Sequence, residues 1–130
     1  MQTIDVNTTQ RTQFIDLTYQ VERLVKEEGI EDGVCCLYVP HTTAGLTINE
    51  NADPAVVQDI INTLNNLIPF EGNYRHMEGN SAAHIKASMM GSSINILVRG
   101  GKLILGTWQG AYFCEFDGPR SRKVFAKFIK

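Results

Sequence analysis

The sequence lacks any long run of apolar residues. No stretch approaches the roughly 18 apolar residues that a membrane-spanning helix needs. Residues 1–20 also lack the basic start followed by an apolar block that marks a secretory signal. We therefore predict a cytoplasmic protein that has no membrane partner.

An excess of charge of one sign is also missing. Twelve basic and fourteen acidic residues leave a formal net charge of -2. A protein whose main partner is a polyanion usually carries a clear excess of lysine and arginine. We therefore expect no nucleic-acid partner.

Cysteine is scarce and unpaired in the sequence. Cys35 and Cys36 are neighbours in a predicted strand, where their side chains point to opposite faces, and Cys114 stands alone. No Cys-x-x-Cys pair occurs, so reduced, buried thiols are expected rather than a redox or zinc site.

Linkers and repeats are absent from the sequence, and we predict one domain over residues 1–130. A domain of this length can fold without disulfides or a structural metal.

Several local fingerprints of known chemistry are absent. Gly101 and Gly106 have the separation of a phosphate-binding P-loop, but Thr107 and Trp108 stand where lysine and serine or threonine are required. No Gly-x-Gly-x-x-Gly, no Gly-x-Ser-x-Gly and no local zinc spacing of histidines occurs. Any functional site must therefore be assembled by folding.

Helix signals are present at three places. Thr18 is a candidate N-cap for a helix over Tyr19–Glu28, and an apolar stripe predicts a core-packed helix that begins at Asp53-Pro54 and ends at Pro69. A shorter helix is predicted over Ser81–Met90, between Asn80 as a cap and Gly91 as a left-handed terminator.

Strand signals dominate the rest of the chain, and Arg99-Gly100-Gly101 is a hairpin signal. This order of elements favours an α+β fold of antiparallel strands with about three flanking helices. Strands are predicted over Gln13–Leu17, Val34–Val39, Leu46–Asn49, Ser93–Val98, Lys102–Leu105, Ala111–Phe116 and Val124–Ile129.

All three histidines lie outside the apolar stripes. His41 follows a predicted strand, His76 lies in a loop, and His84 is on the short helix. Carboxylates and amides accompany them, and such groups bind metals or orient imidazoles. Glu50 is the best acid, because it lies between a strand and a helix N-terminus, where scaffolds often present functional side chains.

Phosphate binding is a second theme. Thr42 and Thr43 offer hydroxyls, and residues 118–123 form a basic turn. From charge alone, the turn is better interpreted as a solvated loop.

Gly106 and Gly110 on either side of Trp108 would allow its indole to lie over a ligand or at a subunit contact, but core packing is the favoured interpretation. Gln109 and Glu115 interrupt an apolar strand and need partners if buried.

The polar residues together form an ordered pattern along the chain. Its segments are His41–Pro54, Arg75–His76, Glu78–Asn80, Ala83–His84, Leu105–Gly110 and Glu115–Arg120. Over this pattern and its whole length, the chain resembles the YjbQ family, whose members are described as secondary thiamine-phosphate synthases.

The resemblance implies an antiparallel β-sandwich similar to a jelly roll, assembled as a homotrimer. It also implies that hydroxymethylpyrimidine diphosphate and thiazole phosphate are joined with release of diphosphate. The expected partners are therefore small phosphorylated metabolites. Such a leaving group requires a cation or a bound metal to offset its growing negative charge.

We hypothesise that the three histidines converge in one polar pocket. His84 and Glu50 are the candidate catalytic residues, and Glu50 and Asn80 would also orient the imidazoles. A divalent metal is an open possibility: carboxylates favour magnesium, whereas histidines favour zinc. The candidate metal ligands are His41, His76 and His84, and the candidate phosphate-binding residues are Thr42, Thr43, Asn49, Asn80, Gln109 and Arg120.

Three functions compete at this point. The first is an enzyme with the transfer reaction above. The second is a trimeric protein that binds a metal or a phosphorylated metabolite and shows the transfer as a weak side activity. The third is a metal-dependent hydrolase, which the residue types permit but for which no substrate cue exists.

Overall fold

The computed structural model describes residues 1–130 and contains three helices and eight strands. The helices are α1 (Thr18–Glu27), α2 (Pro54–Leu67) and α3 (Ser81–Met90). The strands are β1 (Gln2–Asn7), β2 (Gln13–Asp16), β3 (Asp32–Tyr38), β4 (Ala44–Glu50), β5 (Ser93–Arg99), β6 (Lys102–Leu103), β7 (Gln109–Glu115) and β8 (Ser121–Ile129).

The strands form two antiparallel sheets. Five strands lie in the order β1-β8-β3-β5-β6, and three lie in the order β2-β7-β4. The main core contains apolar side chains from both sheets and from α1, including Leu37, Leu46 and Phe113. This confirms the predicted α+β class. None of the helices has both the length and the apolar character that crossing a bilayer requires.

The predicted hairpin is present between β5 and β6. Gly100 and Gly101 have φ angles of 60° and 73°, and Arg99 pairs with Lys102 across the turn. A two-residue turn with positive φ at both positions matches the right-handed twist of the strands. Strand β6 ends at Leu103, two residues earlier than predicted, and its short length exposes little unpaired edge.

Helix α1 begins one residue earlier than predicted. Thr18 is its first residue and Leu17 occupies the N-cap position. The Thr18 backbone N–H and hydroxyl both donate to Oδ1 of Asp16, at 2.9 and 2.5 Å. The capping oxygen therefore comes from the aspartate two residues before the predicted cap.

Helix α2 begins as predicted but packs less deeply. The Asp53 side chain accepts from the Ala55 N–H at 2.9 Å, and Pro54 stands at the first helical position. Leu64 of its apolar stripe is buried in a second apolar cluster, and Val57 and Ile60 are partly buried and pack against that cluster, whereas Leu67 is 69% exposed. The prediction that this stripe packs on a core is therefore confirmed for Val57, Ile60 and Leu64 and wrong for Leu67.

Helix α3 covers the outer face of the smaller sheet. Ala83 and Ala87 pack with Tyr112 and Phe116 in this second apolar cluster. Asn80 occupies the N-cap position, but its side chain makes no capping hydrogen bond. The following Gly91 has φ 92° and ψ 163°, so it ends the helix with a positive φ but outside the left-handed helical region.

Close packing of α3 on β4 depends on Gly45. A Cβ at this position would lie 2.8 Å from the Gly91 carbonyl oxygen and 2.9 Å from the Met90 Cβ. We expect Gly45→Ala to lower the free energy of unfolding by roughly 1–3 kcal/mol through overpacking, measured by urea denaturation. Gly106→Ala is the control, because its Cβ would meet only the Gln109 side chain. Equal stability of both variants would contradict this packing.

Candidate functional site

Two of the three histidines lie side by side. His84 projects from the first turns of α3, and the His76 ring approaches it edge-on with ring centroids 5.3 Å apart. The His76 Nε2 atom lies 3.9 Å from a carboxylate oxygen of Glu78. The loop before α3 thus brings a second imidazole, and a carboxylate beside it, to the helix.

A cavity of about 570 Å³ opens on this side of His84. We call it the Arg75 cavity. Its donors include Arg75, His76, His84 and the Ser81 hydroxyl, so the chemistry of its lining suits an anionic ligand. Its lining consists of Asn73, Tyr74, Arg75, His76, Ser81, His84 and Ile85.

A second cavity, of about 530 Å³, opens on the other side of His84. We call it the His41 cavity. Its polar lining consists of imidazoles and hydroxyls, and no carboxylate contributes to it. The lining residues are His41, Thr42, Ala44, His84, Ala87, Ser88, Gly91 and Ser92. His84 is the residue common to both cavities.

The His41 ring is held by the backbone of β8. The Lys123 N–H donates to Nε2 of His41 at 2.9 Å, so this nitrogen carries a lone pair. Burial, followed by the positive charge of Arg122, lowers the pKa of His41, against smaller opposing effects of Glu115 and the backbone hydrogen bond. The geometry and the charges both favour a neutral ring.

The lowered pKa of His41 predicts a pH-dependent stability. The unfolded chain binds a proton at this histidine more readily than the folded chain, so stability should fall as pH drops from the ordinary histidine pKa through the lowered one. Thermal unfolding between pH 7.5 and 5 measures this effect, and His41→Asn should weaken the slope. The same slope in both proteins would exclude His41 as its source.

A buried ion pair lies behind His41. Glu115 is fully buried and Arg122 is 6% exposed. The Arg122 Nε atom donates to Oε1 of Glu115 at 2.8 Å, and an Nη atom donates to Oε2. The expectation that Glu115 needs partners if buried is confirmed. The interpretation of the basic turn as a solvated loop is wrong for Arg122, because β8 carries it inward.

The same ion pair joins several loops. Arg122 also donates to the Thr43 hydroxyl at 2.8 Å, and Thr8 donates its hydroxyl to Glu115 at 2.8 Å. Glu115 further accepts from the backbone N–H groups of Phe116 and Asp117, both at 3.1 Å. Thr43, a predicted phosphate-binding residue, is therefore buried and already bonded. Its phosphate-binding role stays a prediction.

Arg120 and Asn80 meet at Asp117. Arg120 donates to the Asp117 carboxylate at 2.9 Å, and the Asn80 amide donates to the same oxygen at 2.9 Å. The Arg120 side chain is 53% exposed, so it lies in a surface ion pair. The Asn80 Oδ1 atom is buried without a partner, and such an atom usually meets a water or a ligand donor.

The remaining predicted residues lie at the far end of β4. Ala44 and Glu50 are the two ends of this strand, which at ~3.3 Å per residue are about 20 Å apart. Glu50 pairs with Gln109 of β7, and the Gln109 side chain accepts from the Gly106 N–H. Within one chain, Asn49, Glu50 and Gln109 are therefore separated from the histidines.

Trp108 and the cysteines also have clear positions. Trp108 is 62% exposed, so its predicted place in the core is wrong. The turn between Gly106 and Gly110 holds it at the surface instead. All cysteines are free, and burial raises the pKa of the Cys35 thiol to about 12, so this thiol is protonated at neutral pH.

The histidines do not assemble a three-ligand metal site within the chain. No group of three or more His, Cys, Asp or Glu side chains gathers closely enough to hold an ion. The rings of His76 and His84 are adjacent. The lone pair on Nε2 of His41 accepts a hydrogen bond from the Lys123 N–H, so this atom is not free to bind a metal. Zinc or magnesium binding stays a prediction.

The fold and the site define a class of protein. It is a small α+β domain of two antiparallel sheets, in which a helix places one histidine between two polar cavities. The sequence model described as "UPF0047 protein YjbQ-like" matches residues 2–130. The chain belongs to the YjbQ/UPF0047 family, which confirms the predicted resemblance.

Relatives in bacteria and archaea are similar to this sequence over nearly its whole length. The UPF0047 protein YugU of Bacillus subtilis is 51% identical over 99% of this chain and 98% of its own. The UPF0047 protein MJ1081 of Methanocaldococcus jannaschii is 52% identical over 95% of this chain and 90% of its own.

A solved structure shares the fold closely. The crystal structure of a YjbQ/UPF0047 protein from Clostridium acetobutylicum is 56% identical and superposes with a TM-score of 0.97. The match covers 99% of this chain and 100% of the other. The names of these proteins specify no reaction.

Proposed function

We propose that this protein is an enzyme that acts on two small phosphorylated metabolites, as a secondary thiamine-phosphate synthase. The observation that carries the proposal is the position of His84, which lines two neighbouring cavities at once. A reaction between two substrates needs adjacent subsites with a shared catalytic group. A protein that binds a single metabolite needs only one of them.

The chemistry requires a carbon–oxygen bond to break and a carbon–nitrogen bond to form. The methylene carbon of hydroxymethylpyrimidine diphosphate loses diphosphate, and the thiazole nitrogen supplies the electron pair of the new bond. Diphosphate departs with growing negative charge, which preorganised cations and donors stabilise. Arg75 and His76 supply such groups in the Arg75 cavity, and in this proposal His84 donates a proton to the leaving oxygen.

Arg75 was missed as a functional residue by sequence reasoning. Its only signal was its position directly before His76 in the family pattern. Arg120, the predicted phosphate-binding cation, is engaged by Asp117. It stays a candidate for phosphate, as does Asn80, although the unpaired Oδ1 of Asn80 calls for a donor rather than for a phosphate oxygen.

The assay of the proposed function uses both substrates with purified protein. We expect thiamine phosphate and diphosphate to form in equal amounts, and diphosphate release to stop when thiazole phosphate is omitted. Release without thiazole phosphate would instead indicate a hydrolase. Tight binding of either substrate without product would indicate a binding protein. Repeating the assay after chelator treatment, with magnesium or zinc restored, tests the metal.

A homotrimer remains part of the proposal, as does a cytoplasmic location. The incompletely buried apolar stripe of α2, with Leu67 largely exposed, supports association through this helix. Glu50 keeps its proposed catalytic role only if a neighbouring copy brings it to the histidines, because β4 separates them within one chain. Sedimentation equilibrium should give three times the chain mass of 14.5 kDa. The mass of a monomer would contradict both the homotrimer and the catalytic role of Glu50.

A further inference from the structure

We infer that His41 is a neutral hydrogen-bond donor whose Nδ1–H recognises a phosphoryl oxygen in the His41 cavity, with Glu115 and Arg122 as its positioning pair. This role rests on the proposed function. It assigns one atom of the site to one kind of ligand group. It also separates His41 from a metal-binding or general-base role through Nε2.

The hydrogen bond from Lys123 determines which ring nitrogen carries the proton. A backbone N–H at 2.9 Å from Nε2 requires a lone pair there. A neutral imidazole has one proton on its ring nitrogens, so that proton is on Nδ1. Nδ1 is the only other polar atom of the His41 side chain, and this side chain lines the cavity. A ligand therefore meets His41 as a donor.

The ring and its backbone partner are held by the same buried ion pair. Arg122 immediately precedes Lys123 on β8, and its guanidinium is bonded to Glu115. Arg122 also donates to the hydroxyl of Thr43, two residues after His41. The Thr43 carbonyl accepts from the Phe116 N–H at 3.1 Å. The segment that carries His41 and the strand that carries Lys123 are therefore both restrained.

The lining of the cavity favours an acceptor as the ligand group. Thr42 and Ser92 present hydroxyls, His84 presents a second imidazole, and no carboxylate competes for the donors. The hydroxyl of Ser88 is already used, since it donates to the His84 carbonyl at 2.9 Å. A phosphoryl oxygen can accept several hydrogen bonds at once, whereas a cationic group would meet no acceptor of opposite charge.

The first experiment identifies the tautomer without reference to activity. Protein labelled with ¹⁵N in its histidines is studied by NMR at pH 7.5. The ring signals of His41 are identified because they are missing from the spectrum of His41→Asn. We expect an unprotonated Nε2 and a protonated Nδ1 in the full-length protein. A proton on Nε2, either in the other tautomer or in a doubly protonated ring, would overturn the inference.

The second experiment uses inorganic phosphate as the probe and two matched variants, and binding in the His41 cavity is followed by the amide NMR signals of Thr42 and Ser92, which line it. The amide of asparagine lies near the place of Nδ1, whereas that of glutamine lies near the place of Nε2. We expect His41→Asn to bind phosphate in this cavity within about threefold of the wild type and His41→Gln to bind it about tenfold more weakly. Equal losses, or the reverse order, would overturn the inference. Amide NMR spectra verify that both variants fold.

Arg122→Lys tests the positioning role. Lysine keeps the positive charge but loses the fork that bonds both Glu115 oxygens. We expect the His41 ring to show both tautomers in this variant, whereas Arg120→Lys leaves the wild-type ¹⁵N signals in place. A single unchanged tautomer in Arg122→Lys would remove the positioning role.

The two proposals fail in different ways. If phosphate binds in the His41 cavity with the expected order of variants but no thiamine phosphate forms, the proposed reaction fails and the role of His41 stands. If thiamine phosphate forms but the two His41 variants bind phosphate in this cavity equally, the role of His41 fails and the reaction stands. If the wild type does not bind phosphate in this cavity, phosphoryl recognition by His41 is overturned whatever its tautomer.

Discussion

Replacing Arg122 with alanine is expected to lower the free energy of unfolding by about 3–5 kcal/mol. The change removes the positive partner of Glu115, whose side chain is fully buried. An isolated carboxylate in the interior loses its hydration and regains only part of the lost energy from neighbouring donors. Thr8 and two backbone N–H groups remain bonded to it, which keeps the expected loss from being larger.

The measurement is urea denaturation at pH 7.5, with Arg120→Ala as the matched control. Arg120 makes a similar contact with Asp117, but its side chain is 53% exposed, so its ion pair is screened by water. We expect Arg120→Ala to cost less than about 1 kcal/mol. Equal and small losses for the two variants would show that the Arg122–Glu115 pair does not hold the fold together.

His84→Ala should lower the rate of thiamine phosphate formation by at least about 100-fold. The proposed role of His84 is proton donation in the transition state, so its removal should affect turnover more than substrate affinity. Its position between the two cavities makes it the one imidazole that contacts both subsites. Diphosphate affinity should change by only a few fold, because Arg75 and His76 remain.

His76→Ala is the control for this experiment. His76 lines the Arg75 cavity but not the His41 cavity, so its loss should weaken diphosphate binding and lower turnover less than the loss of His84. Glu50→Gln tests the proposed trimer separately: a loss of turnover would support a site that a neighbouring copy completes, and unchanged turnover would remove Glu50 from the catalytic residues. If His84→Ala loses affinity and keeps its turnover at saturation, the protein fits the binding role better than the catalytic one.

Local signals in the sequence were sufficient for the elements that depend on nearby residues. The Asp53-Pro54 start of α2 and the Gly100-Gly101 turn were predicted because capping and positive φ are determined within a few residues. The family was also predicted from ordered motifs, because these motifs are read directly from the chain.

The depth of packing was less predictable. The α2 stripe has the right period, yet periodicity shows which residues share a face and not whether another element covers that face. Core packing was the favoured interpretation for Trp108. Its exposure follows from the turn in which it lies, and a turn at the end of a sheet has no second layer to pack against.

The candidate site shows the same division most clearly. The sequence by itself determined which residue types are available: three histidines, Glu50, Arg120 and their polar neighbours. Only the tertiary structure decided that His76 joins His84, that β4 separates Glu50 from them, and that Arg122 turns inward. The physical reason is that sheet register and helix packing bring distant segments together through long-range contacts, which no local pattern encodes.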